Sequence, residues 1–550
     1  MKQCQITQSG FPDHHHQSSR AKTFVAAVLG LVFSLTGAEA ATITKAATGT
    51  DLTAGASWGG TAPGSGDVAT WSSTSLGGPL TLSSANAWGG LAVSGASSDI
   101  TITGAGPLTL GSSGISFAAA AVNLNLGVPL TLNGNQAWTG STGGELLTAS
   151  GNITGAGLTI GSVVSGGNTQ QGTVSLTGAN NSFTSVTIAN GTLNLTGQNS
   201  IPTLTIDQWN TAKGINAFLN ISNGGILSFA TLALATQNTG KHVTPVIHLD
   251  NGILESSSTA TIAGSLSIQI DTGGATINTA GGNVTSSSPF LHGSGAPDGG
   301  LTVTGGNTFT LPNGASTFTG PITIGQATLA LSSSTSLPNT AGITINGGGT
   351  LDVSSVAGGL SWGATETLTA TGTNATGTIK GNVTLADTSP LAFNLTPGTA
   401  PLNVTAGTLA VGADGPVTIN IVNGGKPLSA GTYALITAGA GGSADGAAPV
   451  SVAFTGDGLA TGTTNALEIN NGELDLVVGG GAPVLVSSLS NSNLVLNWPA
   501  SGWQLQAQTN TLSGGLGTNW ISVGGSTLTN SATIPIDPHN RAVFFRLVSP

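Results

Sequence analysis

Short segments in which apolar residues alternate with threonine, serine or asparagine recur along most of this chain. In Val186–Ile188 and Gly191–Leu195, for example, Val, Leu or Ile occupies every second position. Alternation with a period of two indicates β-strands that bury one face. Strands of three to five residues are too short to be stable alone, so the pattern predicts that many of them stack on one another.

Two families of repeats support this stacking. The tetrapeptide Pro-Leu-Thr-Leu occurs at Pro79–Leu82, Pro107–Leu110 and Pro129–Leu132. A longer unit covers Asn181–Leu195 and returns, with one inserted residue, over Ser316–Leu331. Stacked repeats predict an all-β fold, a right-handed parallel β-helix over residues 41–478, with about 20–25 residues in each of roughly 18–20 coils. A series of antiparallel sandwiches is the alternative, but its hairpins would need far more regular two-residue turns.

The N-terminal segment has the features of an export signal. Its basic residues are Lys2, Arg20 and Lys22. The apolar run Phe24–Leu35 follows, and Ala38–Ala40 fits the small-x-small cleavage rule. This predicts a signal peptide over residues 1–40 and a mature chain that starts at Ala41; a buried N-terminal helix is the alternative. No later stretch has the roughly 18 apolar residues of a membrane helix, so no transmembrane segment is expected after cleavage.

The composition changes near residue 480. Gly479–Pro483 has the residues of a linker. The segment 484–550 then contains the expected short strands Asn493–Trp498, Trp503–Thr509, Trp520–Val523, Ala532–Ile536 and Ala542–Val548, most of which carry aromatic residues. We expect a small antiparallel β-sandwich-like domain with its own aromatic core.

Composition and charge exclude several classes of protein. The 550 residues include 86 glycines, and only 6 % are charged. A coiled coil needs far more charged residues. Ten Lys and Arg residues against 21 acids also provide too little positive charge for a nucleic-acid-binding face. Cys4, the single cysteine, lies in the predicted signal peptide, so the mature chain would have no disulfide.

One segment concentrates polar and titratable residues. Its members are Trp209, Lys213, Lys241, His242, His248, Asp250, Glu255 and Asp271. A β-helix polysaccharide lyase would use acids to hold calcium and a lysine as base. The alternative is solvated loops around two consecutive coils, which is favoured because no coil shows stacked Asp pairs and because Arg is absent between Arg20 and Arg541. We therefore assign no catalytic residue, metal ligand or cofactor, and keep Lys241, His242, His248, Asp250 and Asp271 as the candidate polar cluster.

Two other sets of residues have a functional and a structural interpretation. Trp498, Trp503 and Trp520 could stack on sugars, but a role in the core of the C-terminal domain is favoured. His292 and Asp298 lie in the Gly-, Ser- and Pro-rich stretch Ser286–Gly300, where a plain loop is favoured.

The unit Gly178–Leu195 resembles the autotransporter-associated β-strand repeat, also called the passenger-associated transport repeat. It has Gly-Ala-Asn, then Phe-Thr, Val-Thr-Ile and Gly-Thr-Leu-Asn-Leu in the family's order. The later copy, over residues 313–331, has Ala315 and Ala327 in place of glycines. The segments Ala430–Ile436 and Gly472–Val477 resemble the closing segments of such proteins. The tail resembles a terminal module of large secreted repeat proteins of environmental Gram-negative bacteria.

This resemblance implies a secreted or cell-surface β-helix whose repeats assist passage across the outer membrane of a Gram-negative-type bacterium. The chain departs from a true autotransporter, because the segment after the linker is too short for a membrane barrel. The expected role is structural or adhesive and non-enzymatic, with glycans or cell-surface and matrix components as partners. An extracellular polysaccharide-binding or polysaccharide-degrading protein is the alternative.

Overall fold

A computed structural model shows how these short strands assemble. It describes residues 40–72, 79–117, 122–140, 145–163, 169–207, 217–235, 244–312, 316–333, 337, 340–372, 375–461, 463–480, 483–498, 503–511 and 516–548. The predicted signal peptide lies almost entirely outside these residues. Short 3₁₀ turns occur at Gly55–Trp58 and Ser526–Leu528, and nearly all other regular structure is β-strand. No helix in the described ranges has the length and apolar character needed to span a membrane.

Short strands follow one another along the chain. The first twenty are β1 (Thr42–Thr44), β2 (Val68–Trp71), β3 (Leu80–Thr81), β4 (Asn86–Val93), β5 (Ile100–Thr103), β6 (Leu108–Phe117), β7 (Leu124–Leu126), β8 (Leu130–Leu132), β9 (Gln136–Gly140), β10 (Leu146–Ala149), β11 (Ile153–Gly155), β12 (Leu158–Ile160), β13 (Ser162–Val163), β14 (Thr169–Gln170), β15 (Thr173–Leu176), β16 (Asn180–Phe183), β17 (Val186–Ile188), β18 (Gly191–Leu195), β19 (Gln198–Ser200) and β20 (Thr203–Ile206).

The strands then continue through the middle of the chain at the same density. They are β21 (Ala217–Ser222), β22 (Ile226–Leu234), β23 (Val246–Asp250), β24 (Gly252–Ile262), β25 (Ser267–Ile270), β26 (Ala275–Asn278), β27 (Val284–Ser286), β28 (Phe290–His292), β29 (Leu301–Thr304), β30 (Thr308–Leu311), β31 (Ile322–Ile324), β32 (Thr328–Leu331), β33 (Gly342–Asn346), β34 (Thr350–Asp352), β35 (Leu360–Trp362), β36 (Thr367–Thr371), β37 (Gly377–Lys380), β38 (Val383–Leu385), β39 (Leu391–Leu395), β40 (Leu402–Val411) and β41 (Val417–Ile421).

The last part of the chain contains longer strands. They are β42 (Gly431–Ala438), β43 (Gly442–Gly446), β44 (Val452–Gly456), β45 (Thr464–Asn470), β46 (Glu473–Gly479), β47 (Val486–Ser490), β48 (Asn493–Asn497), β49 (Gln504–Asn510), β50 (Ile521–Ser522), β51 (Ser531–Pro535) and β52 (Ala542–Val548).

Up to β44, almost all strand pairs are parallel, and most strands pair with the strand one turn earlier and the strand one turn later. The chain thus forms a parallel β-solenoid of about 14 turns. The turn formed by β7, β8 and β9 shows three faces, which we number in chain order: β7 lies on face 1, β8 on face 2 and β9 on face 3, and β10 returns to face 1. The predicted fold class, a parallel solenoid followed by small antiparallel sheets, is confirmed.

The prediction of 18–20 coils is wrong, because the turns are longer and less regular than the repeats suggest. On face 2 the shortest step between paired strands runs from Asn180 to Gln198. The longest step, from Val417 to Val452, is nearly twice as long. Loops inserted at the corners absorb most of the difference, and register shifts interrupt the pairing of β4 with β6, β22 with β24 and β37 with β40.

Alternate residues of the solenoid strands fill one continuous core. Leu193 and Leu195 of β18 are fully buried, as are Ile322 and Ile324 of β31, and the threonines and asparagines between such residues remain partly exposed. Burial of an aliphatic side chain contributes about 1.5–3 kcal/mol, and here that contribution is repeated at every turn. The periodicity of two therefore identified the inward positions.

The sequence repeats do not all stack on one another. Leu108 and Leu130, from the second and third Pro-Leu-Thr-Leu copies, pair on face 2, whereas Leu80 of the first copy pairs with Ile102 on face 1. The longer unit is displaced in the same way: Val186 lies on face 3 and Ile322 on face 2. A short strand with alternating apolar positions fits any of the faces, so sequence similarity does not fix the register.

Three tryptophans pack together in the first turns of the solenoid. The ring of Trp58 meets Trp71 and Trp88 edge-on, at centroid distances of 5.5 and 5.8 Å. All three rings are buried. Trp138, further along, is also buried and donates its indole N–H to Gln136 at 2.9 Å. Trp88 and Trp138 thus pack inside the turns.

The last turns of the solenoid end in antiparallel pairing. Strand β42 pairs in parallel with β40, and its other edge is covered by β46, which runs antiparallel between β42 and β45. The two segments that resemble closing segments of autotransporter passengers, Ala430–Ile436 and Gly472–Val477, are therefore paired with each other. Leu474 and Leu476 of β46 are fully buried in the solenoid core.

Residues 486–548 form two three-stranded antiparallel sheets, β47-β48-β51 and β50-β49-β52. Leu496, Trp498 and Leu505 form a hydrophobic cluster distinct from the solenoid core. The sequence predicted all of these strands except β47, with only small differences at their ends. The domain boundary at residues 479–483 stays a prediction.

Candidate functional site

His248 and Asp271, two members of the candidate polar cluster, meet on face 1 of the solenoid. His248 lies in the middle of β23, and Asp271 follows the end of β25, the next strand on that face. The His248 Nδ1 atom is 3.1 Å from Oδ2 of Asp271. The carboxylate orients the ring and the imidazole is 37 % exposed, so this pair could exchange a proton with a bound molecule.

Asp250 is the third member of the candidate polar cluster that the structure describes. Asp250 accepts a hydrogen bond from the backbone N–H of Gly273 at 2.7 Å, so that carboxylate holds a corner of the next turn. Lys241 and His242 lie outside the described residues, as do Trp209 and Lys213. Within the described ranges, no three His, Cys, Asp or Glu residues converge to form a metal-binding group.

A second His–Asp pair lies in Ser286–Gly300, the segment for which the sequence favours a plain loop. Phe290–His292 forms strand β28, and His292 Nδ1 is 2.9 Å from Oδ2 of Asp298. The Asp298 side chain is fully buried and accepts hydrogen bonds from the backbone N–H groups of Gly300, Thr319 and Gly320. These hydrogen bonds to the Asp298 carboxylate connect two consecutive turns of the solenoid.

The environment of Asp298 keeps it ionised. Burial acts to raise the pKa of the Asp298 carboxyl, but hydrogen bonds from the His292 ring and from three backbone N–H groups outweigh it and hold the pKa below its ordinary value. The His292–Asp298 pair therefore stabilises a corner of the solenoid, and its histidine is partly exposed.

A polar groove of about 350 Å³ runs across five consecutive strands of face 2. We call this depression the polar groove. The residues that line it are Thr154, Asn180, Asn181, Ser182, Gln198, Asn199, Ser200, Ile226, Ser228 and Glu255. Three of the outward positions that pair in register carry serine: Ser182, Ser200 and Ser228. Thr154 and Glu255 are the larger side chains at the two ends of this row, so the small serines leave the depression between them.

Two buried asparagines form the floor of the polar groove. Asn181 donates its amide to Oδ1 of Asn199 at 3.0 Å and accepts the backbone N–H of Ile153 at 3.0 Å. Asn199 donates in turn to the carbonyls of Gly197 and Ile226, one turn further on. These side chains join four turns, because a buried amide must find partners for its donors and acceptor.

The sequence alone did not identify the polar groove. Its serines lie far apart along the chain, and only the strand register places them side by side. The one available signal was Glu255, which belonged to the wider set of polar residues considered from the sequence. Its Oε2 accepts a hydrogen bond from Asn278 at 2.7 Å.

The three C-terminal tryptophans lie in different environments. Trp498 is 3 % exposed and belongs to the hydrophobic cluster, and Trp503 packs against it half-buried. Trp520 is half-buried, with the guanidinium of Arg546 4.3 Å from its ring centroid. The burial of Trp498 leaves Trp503 and Trp520 as the rings that a sugar could reach.

A cleft of about 460 Å³ lies between the two C-terminal sheets. It combines apolar residues of both sheets, among them Leu494 and Phe545, with polar residues of the Asp537–Arg541 turn. Several apolar side chains elsewhere in this segment are strongly exposed, including Leu489 and Leu528. The pattern of alternation did not predict this exposure.

The chain matches no protein-family model, and none of the curated proteins matches it significantly. The functional argument therefore rests on the residues and the geometry of the solenoid.

Proposed function

We propose that the protein is a secreted or cell-surface β-solenoid with a structural, adhesion-type role. The observation that carries this proposal is the regularity of the outward positions. On face 2 five consecutive strands present a threonine at the same position: Thr276, Thr302, Thr323, Thr344 and Thr369. Rows of short, uncharged polar side chains suit many weak contacts with a polar surface, and the low content of charged residues excludes strong electrostatic ones.

The proposed route to the cell surface starts with the predicted signal peptide, and the repeats assist passage across the outer membrane as in autotransporter passengers. The resemblance of Gly178–Leu195 to the passenger repeat supports this route. External proteinase treatment of intact cells, followed by immunodetection, tests it together with attachment of the cells to polysaccharide- or matrix-coated surfaces. Protein that is protected inside the cell, or equal attachment of cells that lack it, would contradict the proposal.

Cleavage of the signal peptide gives the first expected result. The exported protein should begin at Ala41, because Ala38 and Ala40 supply the small residues that signal peptidase requires. N-terminal sequencing of the exported protein measures this, and Ala40→Asp should block the cleavage. A mature protein that retains Phe24–Leu35 would remove the argument for export.

A polysaccharide-binding role is the second candidate function, and the polar groove favours it. Degradation of polysaccharide is a separate question, because within the described ranges neither His–Asp pair is joined by a third His, Cys, Asp or Glu residue. The groove thus supports binding more strongly than it supports bond cleavage.

We accordingly expect no lyase or hydrolase activity on common plant or algal polysaccharides. Incubation of the purified protein with a polysaccharide panel, followed by reducing-end and unsaturated-product assays, measures this. Activity that disappears in Asp250→Asn, His248→Ala or Lys241→Ala, while a Thr323→Ala control remains active, would reverse the proposal.

A further inference from the structure

We infer that the polar groove binds a single neutral polysaccharide chain that runs along the solenoid axis, across the strands of face 2. This inference rests on the proposed export, because only an exported protein meets such chains. It extends the adhesion-type role by naming a site and a ligand class.

The shape of the polar groove sets the direction of the ligand. The register places Thr154, Ser182, Ser200, Ser228 and Glu255 in one row, each on the next turn of the solenoid. Neighbouring strands are about 4.8 Å apart, so the row extends for about 19 Å. Each turn advances by close to the length of one pyranose residue in an extended chain. The row therefore accommodates about four sugar residues, one for each step.

The hydrogen-bonding groups of the row are available to a ligand. In the described part of the chain, the hydroxyls of Thr154, Ser182, Ser200 and Ser228 form no hydrogen bond with another protein group. The exposed amide of Gln198 lies on the same strand as Ser200 and adds both a donor and an acceptor. A sugar hydroxyl can donate and accept, so a polyhydroxylated chain satisfies this lining.

The charge of the lining selects neutral chains. The lining residues include no Lys or Arg, and Glu255 places one carboxylate at the end of the row. A carboxylated or sulfated polysaccharide would bring negative charge toward Glu255 with no cation among the lining residues to compensate it. Ile226 provides a half-buried apolar contact for the C–H face of a sugar ring.

The floor of the polar groove keeps the row in place before a ligand binds. The hydrogen bonds of Asn181 and Asn199 connect the turns on which Ser182, Ser200 and Ser228 lie. A site that is already ordered loses little conformational entropy on binding. Weak individual hydrogen bonds can therefore add up to measurable affinity.

Affinity electrophoresis of the full exported protein tests the inference. The gels contain a neutral polysaccharide (mixed-linkage β-glucan, galactomannan or xyloglucan) or an acidic one (alginate or homogalacturonan). Retardation is expected with at least one neutral polysaccharide and not with the acidic ones. Ser200→Trp, which fills the centre of the row from the solvent side, should weaken binding at least tenfold, and Gln198→Ala should weaken it about threefold.

The matched control is Thr418→Trp, an exposed outward position on face 2 that lies outside both the polar groove and the row of threonines. It should bind as the unchanged protein does, and circular dichroism should show the same β-structure in all variants. No retardation by any of the three neutral polysaccharides, undiminished binding by Ser200→Trp, or equal retardation by acidic polysaccharides would each overturn the inference. The cell-surface assays are independent of this result, so a displayed, adhesive protein with no glycan affinity would refute the groove and leave the proposed function standing.

Discussion

A chain that ends before β45, at residue 463, should associate into large β-rich assemblies, whereas a chain that ends at residue 480 should remain monomeric. The reason is the covered edge of β42. Without β46, this strand exposes a row of unpaired backbone N–H and C=O groups, which recruit strands from other chains. The loss of Leu474 and Leu476 also opens the solenoid core, at about 2 kcal/mol for each buried side chain. Size-exclusion chromatography with light scattering, and thioflavin T fluorescence, measure the difference.

A single substitution in the complete mature chain provides a sharper form of the same experiment. Leu476→Asp places an unpaired charge in the core and should release β46, with association similar to that of the shorter chain. Leu489→Asp is the matched control, because Leu489 is 73 % exposed on β47. A monomeric chain of residues 41–463 with unchanged thermal stability would show that β46 does not protect this edge.

The result also bears on the C-terminal segment. If the chain that ends at residue 480 is monomeric, residues 484–550 are not needed to close the solenoid. Their exposed apolar residues, such as Leu489 and Leu528, and the cleft between their two sheets then require another explanation. The sequence predicted this segment as a small domain with its own core, and the strand pairing shows that β46 already covers the edge of β42.

The sequence was a good guide to local structure because alternation has a direct physical cause. Residues such as Leu193 and Ile324 are buried as the pattern requires, since successive side chains of a strand point to opposite faces. The strand register does not follow from this alternation. It depends on loops of variable length at the corners, and the same unit therefore occupies face 3 at Val186 and face 2 at Ile322.

The candidate sites depend on that register, and this is why the sequence identified them only in part. His248 and Asp271 could be named from their residue types, but their contact follows from a step between neighbouring strands of face 1. Ser182 and Ser200 are ordinary outward residues until the strands are stacked, and only then do they form a groove. Outward residues in a solenoid acquire function from neighbours a full turn away.

The buried carboxylate of Asp298 provides the second large expected effect. Asp298→Ala leaves the backbone N–H groups of Gly300, Thr319 and Gly320 without their acceptor, at about 1–3 kcal/mol for each buried unsatisfied group. We expect a local loss of at least about 3 kcal/mol, which corresponds to about a hundredfold faster amide hydrogen exchange in the turns around Asp298. A solenoid unfolds in parts, so hydrogen exchange at these amides is a better measurement than a global melting temperature.

The same residue predicts a dependence on pH. The pKa of Asp298 is lower in the folded chain than in the unfolded chain. The ionised carboxylate therefore stabilises the fold fully at pH values above the unfolded-state pKa of about 3.9, and this stabilisation is lost as the pH falls through the folded-state pKa. Protection of the turns around Asp298 should therefore decrease below about pH 4. Asp298→Asn should be less protected at neutral pH and should lose this dependence, whereas Asp414→Asn, at an exposed side chain, should change neither quantity. Equal protection of Asp298→Asn and the unchanged protein at neutral pH would show that the carboxylate does not hold these turns together.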